Sequence, residues 1–125
     1  MSEVNMTRVV LADDQKSVRM GLRLLLEEEG GMEITGEAYN AGSLLTSTAS
    51  NCPNLVLLDW GLPGMEPDQL VRTLRRICPD VEIIVLSGQS GVKGEALQAG
   101  ADYFISKAAP PENLLRKIRL TLGTI

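Results

Sequence analysis

Apolar and polar positions along the chain fall into two patterns that take turns. Short apolar runs rich in β-branched residues alternate with longer stretches in which apolar residues return every three or four positions. Arg8 to Ala12 (RVVLA) predicts a strand. Ser17 to Glu29 predicts a helix that turns Val18, Leu22, Leu25 and Leu26 inward, with Gly30-Gly31 ending it. A short strand near Ile34 to Ala38 and a helix from about Ser43 to Ala49 follow. Leu55 to Leu58 has no polar position at all, which suits a strand buried on both faces. The loop GLPGMEP leads to a helix over Asp68 to Ile77, stopped by Pro79, and then to a strand over Val81 to Leu86. After SGQSG come a short helix from about Val92 to Ala99 and a strand over Tyr103 to Ile105. The last helix runs from Glu112 to Leu122 and buries Leu114, Leu115, Ile118 and Leu122.

Strict alternation of strands and helices implies an α/β architecture, a doubly wound parallel sheet with helices on both faces. Five strands of this kind predict a flavodoxin-like (βα)5 fold with strand order 2-1-3-4-5. Ligands of such sheets bind beyond the carboxyl ends of the strands, where the order reverses between the first and third. The residues at those ends are Asp13-Asp14, Asp59, Ser87 and Lys107. Singly, each has a plain structural role: an acid caps a helix, an aspartate or serine makes a turn, a lysine lies on the surface. Jointly they bring three carboxylates, a hydroxyl and an ammonium to one rim. Three crowded carboxylates repel, and a cation relieves the repulsion. Mg²⁺ fits, since it takes oxygen ligands and pairs one or two carboxylates with a phosphate oxygen. One of Asp13 and Asp14 would bind the ion directly and the other through water, with Asp59 as a further ligand and as nucleophile toward phosphorus.

Composition removes other chemistries. The chain has 125 residues, 44% of them apolar, which is the size of one domain with one core. It carries a formal charge of −4 and only 3% aromatic residues, which argues against direct contact with nucleic acid. The basic residues of RTLRRI and LLRKIRL read as solvated helix faces. There is no histidine, so a Ser-His triad, histidine-ligated zinc and a histidine base within the chain are excluded. Any phosphohistidine must belong to a partner. No apolar run approaches the ~20 residues of a membrane span, and MSEVNMTR lacks the core of a signal peptide, so a cytoplasmic location is expected. Cys52 and Cys78 have no metal-ligand spacing, and two cysteines in a non-secreted domain read as buried thiols rather than a disulfide.

The motifs LADD, LLDWGLPGM, VLSG and GADYFISK, with their spacing, resemble the receiver domain of two-component response regulators over about Arg8 to Leu122. The resemblance implies a phosphoacceptor at Asp59 and Mg²⁺ held by Asp14, Asp59 and the backbone carbonyl of Gly61, with Asp13 reached through water. It implies that Ser87 and Lys107 hold the phosphoryl group and that Phe104 is the switch aromatic working with Ser87. The donor would be a sensor histidine kinase, and self-pairing into a homodimer is a further expected contact. Such a domain is a signalling receiver rather than an enzyme; it catalyses only its own phosphoryl transfer and dephosphorylation.

The run Lys107-Ala108-Ala109-Pro110-Pro111, with LADDQKSVRMGLRLLL and ALQAGADYFISKAAPPENLL, is similar to the NarL/LuxR-type subfamily. That subfamily implies a DNA-binding helix-turn-helix output domain downstream, which is absent from this chain. Residues 1–125 therefore read as a single receiver domain, a fragment of a longer transcription regulator. The alternative is a stand-alone or phosphorylation-independent receiver that docks partners. Pro67 stands where receivers commonly have glycine, a change that touches the local backbone rather than the chemistry. Two rivals fit less well. A haloacid-dehalogenase-like phosphatase needs a second acid where Gly61 stands, and a flavin carrier needs a phosphate cradle where the loop is ADDQ. SGQSGVKG matches neither a P-loop nor a dinucleotide fingerprint and reads as a mobile loop.

Overall fold

The computed structural model describes residues 6–122. Along the chain lie β1 (Thr7–Ala12), α1 (Lys16–Glu29), β2 (Met32–Ala38), α2 (Ala41–Ser50), β3 (Leu55–Asp59) and α3 (Pro67–Ile77). They are followed by β4 (Glu82–Ser87), a one-turn 3-10 helix (Ser90–Val92), α4 (Lys93–Ala99), β5 (Tyr103–Ser106) and α5 (Pro111–Leu122). The strands form one sheet in the order β2-β1-β3-β4-β5, and every neighbouring pair is parallel. The expected fold and strand order are those observed.

The two-residue side-chain period of a strand divides the core in two. Val10, Val56, Leu58, Ile83 and Val85 face Leu44 of α2, Leu70 and Leu74 of α3 and Ala96 of α4. Val9, Leu11, Leu55, Leu57, Ile84 and Leu86 face Leu26 of α1 and Leu114 and Ile118 of α5. The central strands are thus buried on both faces, which is why they read as unbroken apolar runs.

Edges and helix ends depart from the apolar pattern for local reasons. β2 begins at Met32 rather than Ile34 because Met32 and Glu33 pair with Thr7 and Arg8, and a register shift opposite Val9 and Val10 leaves Thr35 unpaired. α2 begins at Ala41 rather than Ser43 because Asn40 caps it: its side chain accepts from the Ser43 N–H at 2.7 Å, and Ser43 Oγ accepts from the Asn40 N–H at 3.2 Å. On α1 only Leu26 is fully buried; Val18, Leu22 and Leu25 are half-buried along a groove beside α5. Gly30 ends α1 at φ 81°, a conformation open to glycine. Pro67 occupies the first turn of α3, so the departure from glycine starts a helix and does not distort the loop. α5 reaches Leu122, whose side chain lies outside the described residues.

The cysteine expectation is corrected. Cys52 and Cys78 are joined by a disulfide with their Cα atoms 5.7 Å apart. They lie 26 residues apart in sequence but just before β3 and β4, which are neighbours paired from Leu55 and Glu82 onward. The sheet brings them together on its amino edge.

Candidate functional site

At the opposite, carboxyl edge, β1 stops where the Asp13 N–H donates to the Ala38 carbonyl of β2 at 3.0 Å. Asp13 is buried, and neither it nor Asp14 caps α1, whose first flanking residue is Gln15. Instead Asp13 Oδ1 accepts from the Gln15 N–H at 2.9 Å, and Oδ2 accepts from Lys107 Nζ at 2.8 Å. Asp59 ends β3, and its Oδ1 lies 3.1 Å from the same ammonium. Lys107 follows the last residue of β5 and reaches across β4 to β3 and β1, while its own N–H donates to the Ser87 carbonyl at 2.8 Å. One carboxylate oxygen each from Asp13, Asp14 and Asp59 lie within 4.8 Å of one another. Sequence reasoning expected these acids and the lysine at one rim, and the fold brings them there.

Three carboxyl groups face one ammonium, so the site holds more acidic than basic groups. Burial pushes the Asp59 carboxyl above its ordinary value, and the charge of Asp13 pushes it further, while Lys107 and the Gly61 N–H pull the other way. For Lys107, burial works against the charge, but hydrogen bonds to and the charges of Asp13 and Asp59 outweigh it, so the ammonium is held above its ordinary range. Among the described residues no buried side-chain polar atom lacks a partner. The unmet demand of the site is charge, and its donors are carboxylate oxygens, the set a small hard dication takes.

Ser87 ends β4, 5% exposed, and its Oγ accepts from the Gln89 N–H at 2.9 Å. Phe104 on β5 pairs with Val85 of β4 and lies half-buried against the core shared with α4. The loop after Asp59 is docked rather than free. The Ala41 N–H at the start of α2 donates to the Pro63 carbonyl at 2.8 Å. Gly64, at φ 107°, packs so closely that a Cβ there would sit 3.2 Å from Ala41 N.

Three residues outside the sequence expectation, Arg19, Arg23 and Glu37, shape the acidic turn. Arg19 Nη1 donates to the Asp13 carbonyl at 2.6 Å and its Nε to Glu37 Oε1 at 2.8 Å, while Arg23 Nη2 reaches Glu37 Oε2 at 2.6 Å. The Arg23 hydrogen bond, outweighing burial and joined by Arg19, holds the Glu37 carboxyl below its ordinary value. Arg19 thereby clamps the turn that carries both acids. Its position in VRMGLRLLL gives no signal that separates it from a solvated helix face.

The response regulator receiver domain family matches residues 9–119. The chain belongs to that family. The receiver is 33% identical over 116 residues to the response regulator UvrY of Escherichia coli K12, covering 91% of this chain and 53% of UvrY. It is 35% identical over 119 residues to the KDP operon transcriptional regulatory protein KdpE of the same strain, covering 94% of this chain and 52% of KdpE. It superposes with a TM-score of 0.85 on a CheY-like receiver domain from Methanospirillum hungatei JF-1, at 31% identity and 94% coverage of both chains. A LuxR-family two-component response regulator from Aurantimonas sp. SI85-9A1 gives a TM-score of 0.86 at 28% identity, covering 94% of this chain and 86% of that one. The resemblance to the NarL/LuxR type expected from the motifs is matched by this LuxR-family neighbour. The receiver spans about half the length of the curated relatives it matches. Among its described residues no helix is long and apolar enough to cross a membrane.

Proposed function

We propose that Asp59 accepts a phosphoryl group from the phosphohistidine of a partner sensor histidine kinase in a Mg²⁺-dependent reaction. The resulting change of shape controls an output, a DNA-binding transcription-regulator domain of a longer protein. One observation carries the phosphoacceptor reading: Lys107 Nζ stands between Asp13 and Asp59, at 2.8 and 3.1 Å, with Asp14 completing the acidic cluster. The name of KdpE, a transcriptional regulatory protein, and the greater length of both relatives support the transcriptional output.

Asp14 and Asp59 would hold the ion, with the Gly61 backbone carbonyl as the further ligand that the family resemblance implies. Both Asp13 oxygens already accept hydrogen bonds, from Gln15 and Lys107, which supports a water-mediated role for Asp13. Asp14 is exposed, and its side chain takes no hydrogen bond among the described residues, which supports direct ligation. Bound there, Mg²⁺ supplies positive charge to the carboxylates and to the phosphoryl oxygens. In the transfer, an Asp59 carboxylate oxygen forms the new bond to phosphorus as the phosphorus–nitrogen bond of the donor breaks, its electron pair staying on the imidazole nitrogen. The Lys107 ammonium holds one phosphoryl oxygen. The Ser87 hydroxyl, which accepts from Gln89 and keeps its own proton free to donate, holds another.

The test is intact mass after incubation with acetyl phosphate. The expected result is one phosphoryl increment that requires Mg²⁺ and disappears in Asp59→Asn. An equal increment in that variant overturns the assignment, and no increment in the parent leaves a docking module.

Ser87 and Phe104 carry the conformational response in this proposal. Drawing the Ser87 hydroxyl toward phosphate moves the loop after β4 inward and opens space for the half-buried Phe104 ring, which has no polar group to strand. With Mg²⁺ and beryllofluoride, amide exchange over residues 87–107 should slow in the parent and not in Ser87→Ala. Self-association, followed in the same samples, tests the proposed homodimer. Unchanged exchange in the parent removes both residues from the mechanism.

A further inference from the structure

We propose that Cys52 and Cys78 form a reversible thiol–disulfide site on the amino edge of the sheet, with small-molecule disulfides such as glutathione disulfide as its oxidant class. Closure ties the end of α2 to the end of α3.

The backbone that holds the two sulfurs is set by contacts independent of the bond between them. The Arg8 guanidinium donates to Asn51 Oδ1 at 3.2 Å and to the Cys52 carbonyl at 2.7 Å. Asn54, two residues on, accepts from the Arg8 N–H through its side chain at 2.8 Å, and its backbone bonds the Arg8 carbonyl and the Glu82 N–H, each at 2.9 Å. Cys78 closes α3, donating its N–H to the Leu74 carbonyl at 2.8 Å. The Cα atoms of the closed pair are 5.7 Å apart, and these contacts would keep the two thiols facing each other with the bond open. That separation lies within the range a disulfide spans.

Each sulfur also has an acceptor for a thiol proton. Cys52 Sγ lies 3.6 Å from the Ile77 carbonyl, and Cys78 Sγ lies 3.6 Å from the Thr48 carbonyl. Reduction therefore strands no buried donor, although Cys78 is only 1% exposed. The open and closed states are both compatible with this backbone.

Exposure gives the exchange a direction. Cys52 is exposed and Cys78 is buried. In oxidation the Cys52 thiolate attacks one sulfur of glutathione disulfide, forming a mixed disulfide and releasing one glutathione. The Cys78 thiolate then attacks Cys52 Sγ and expels the second. Two protein thiols are oxidised, one small disulfide is reduced to two thiols, and the two thiol protons leave with them. Reduction runs in reverse, the incoming thiolate attacking Cys52 and Cys78 departing.

The site is joined to the carboxyl edge by α2. One end of that helix bonds Pro63 in the loop after Asp59, and Cys52 follows its other end. Closure restrains α2 against α3 at the pole opposite the acids.

The test equilibrates the 125-residue chain in buffers of graded glutathione to glutathione-disulfide ratio, blocks free thiols and reads intact mass. The expected result is a gain of two labels in one step, reversible on reoxidation, with the melting temperature falling by roughly 10 °C as the closed loop is released. Cys52→Ser should melt with the reduced parent and ignore the buffer. A native pair that stays closed across the whole series is a permanent staple and overturns the proposal. So does a pair that never closes, or one that stops at glutathione on Cys52. The mass reading on the parent needs no variant, so a poorly folding Cys52→Ser does not rescue the idea.

Discussion

Replacing Lys107 by methionine keeps most of the side-chain volume and removes the one ammonium between two carboxylates. At 2.8 and 3.1 Å and an effective dielectric of about 20, each charge pair has a gross attraction of roughly 5–6 kcal/mol. Most of that is offset by the cost of drying the groups. The Lys107 side chain remains 28% exposed, while Asp13 is 2% and Asp59 11% exposed. The pair thus falls between exposed ion pairs, worth up to about 1 kcal/mol, and buried ones, whose disruption costs about 3–5 kcal/mol. A loss of about 2 kcal/mol is expected in the metal-free protein, because Asp13 and Asp59 then face each other with no intervening charge.

The discriminating feature is how Mg²⁺ changes that loss. A dication held by Asp14 and Asp59, and by Asp13 through water, would offset the charge of the two carboxylates that Lys107 pairs with, so the variant should gain more stability from Mg²⁺ than the parent does. Trp60, 7% exposed and adjacent to Asp59, gives the fluorescence signal for urea unfolding. The metal-free midpoint of Lys107→Met should fall by about 1 M and recover most of the difference in Mg²⁺. Equal metal-free midpoints, or a gap of the same size with and without Mg²⁺, would refute the reading of Lys107 as the internal counter-charge of a cation site.

Two further expectations use the same fluorescence or simple melting. Asp14→Ala should abolish the Mg²⁺ response of Trp60, whereas Asp13→Ala should weaken it; a full response in Asp14→Ala sinks the direct-ligand assignment. Glu82 is held above its ordinary value of 4.5 by burial, then by the charge of and hydrogen bond to Asp102, with Arg75 opposing. The folded state therefore binds the proton more tightly than the unfolded chain, and stability is lost as pH rises from 4.5 through the raised value. Glu82→Gln should raise the stability near neutral pH, and the gain should vanish as the pH falls below 4.5. A gain that persists in acid would point to packing rather than charge.

The central strands were legible because burial on both faces leaves no polar position in Leu55 to Leu58 and few around Ile83 to Leu86. The edge was harder to bound. β2 (MEITGEA) is held at its start by pairing with Thr7 and Arg8, which its own side chains do not announce. The start of α2 was set by a hydrogen bond rather than by an apolar face, so periodicity alone placed it two residues late. Arg19 could not be found in advance because its role depends on Glu37, 18 residues away across the α1–β2 turn. An arginine on an amphipathic helix looks the same with or without such a partner.

The acids and the cysteines make a sharper pair, since one topological rule governs both. In a parallel sheet, residues that follow the strands gather on one edge and residues that precede them gather on the other. Applied to carboxyl ends, the rule joined Asp13 to Lys107 across 94 residues. Applied to amino ends, it joins Cys52 to Cys78 across 26, because β3 and β4 are adjacent. The cysteines were read instead from composition, and the habit of non-secreted domains to keep their thiols apart outweighed a geometry already implied by the strand order. The same order explains why the two poles are connected. α2 runs from the loop beside the acids to the loop that carries Cys52, so a bond made at the amino edge constrains a helix that touches the carboxyl edge.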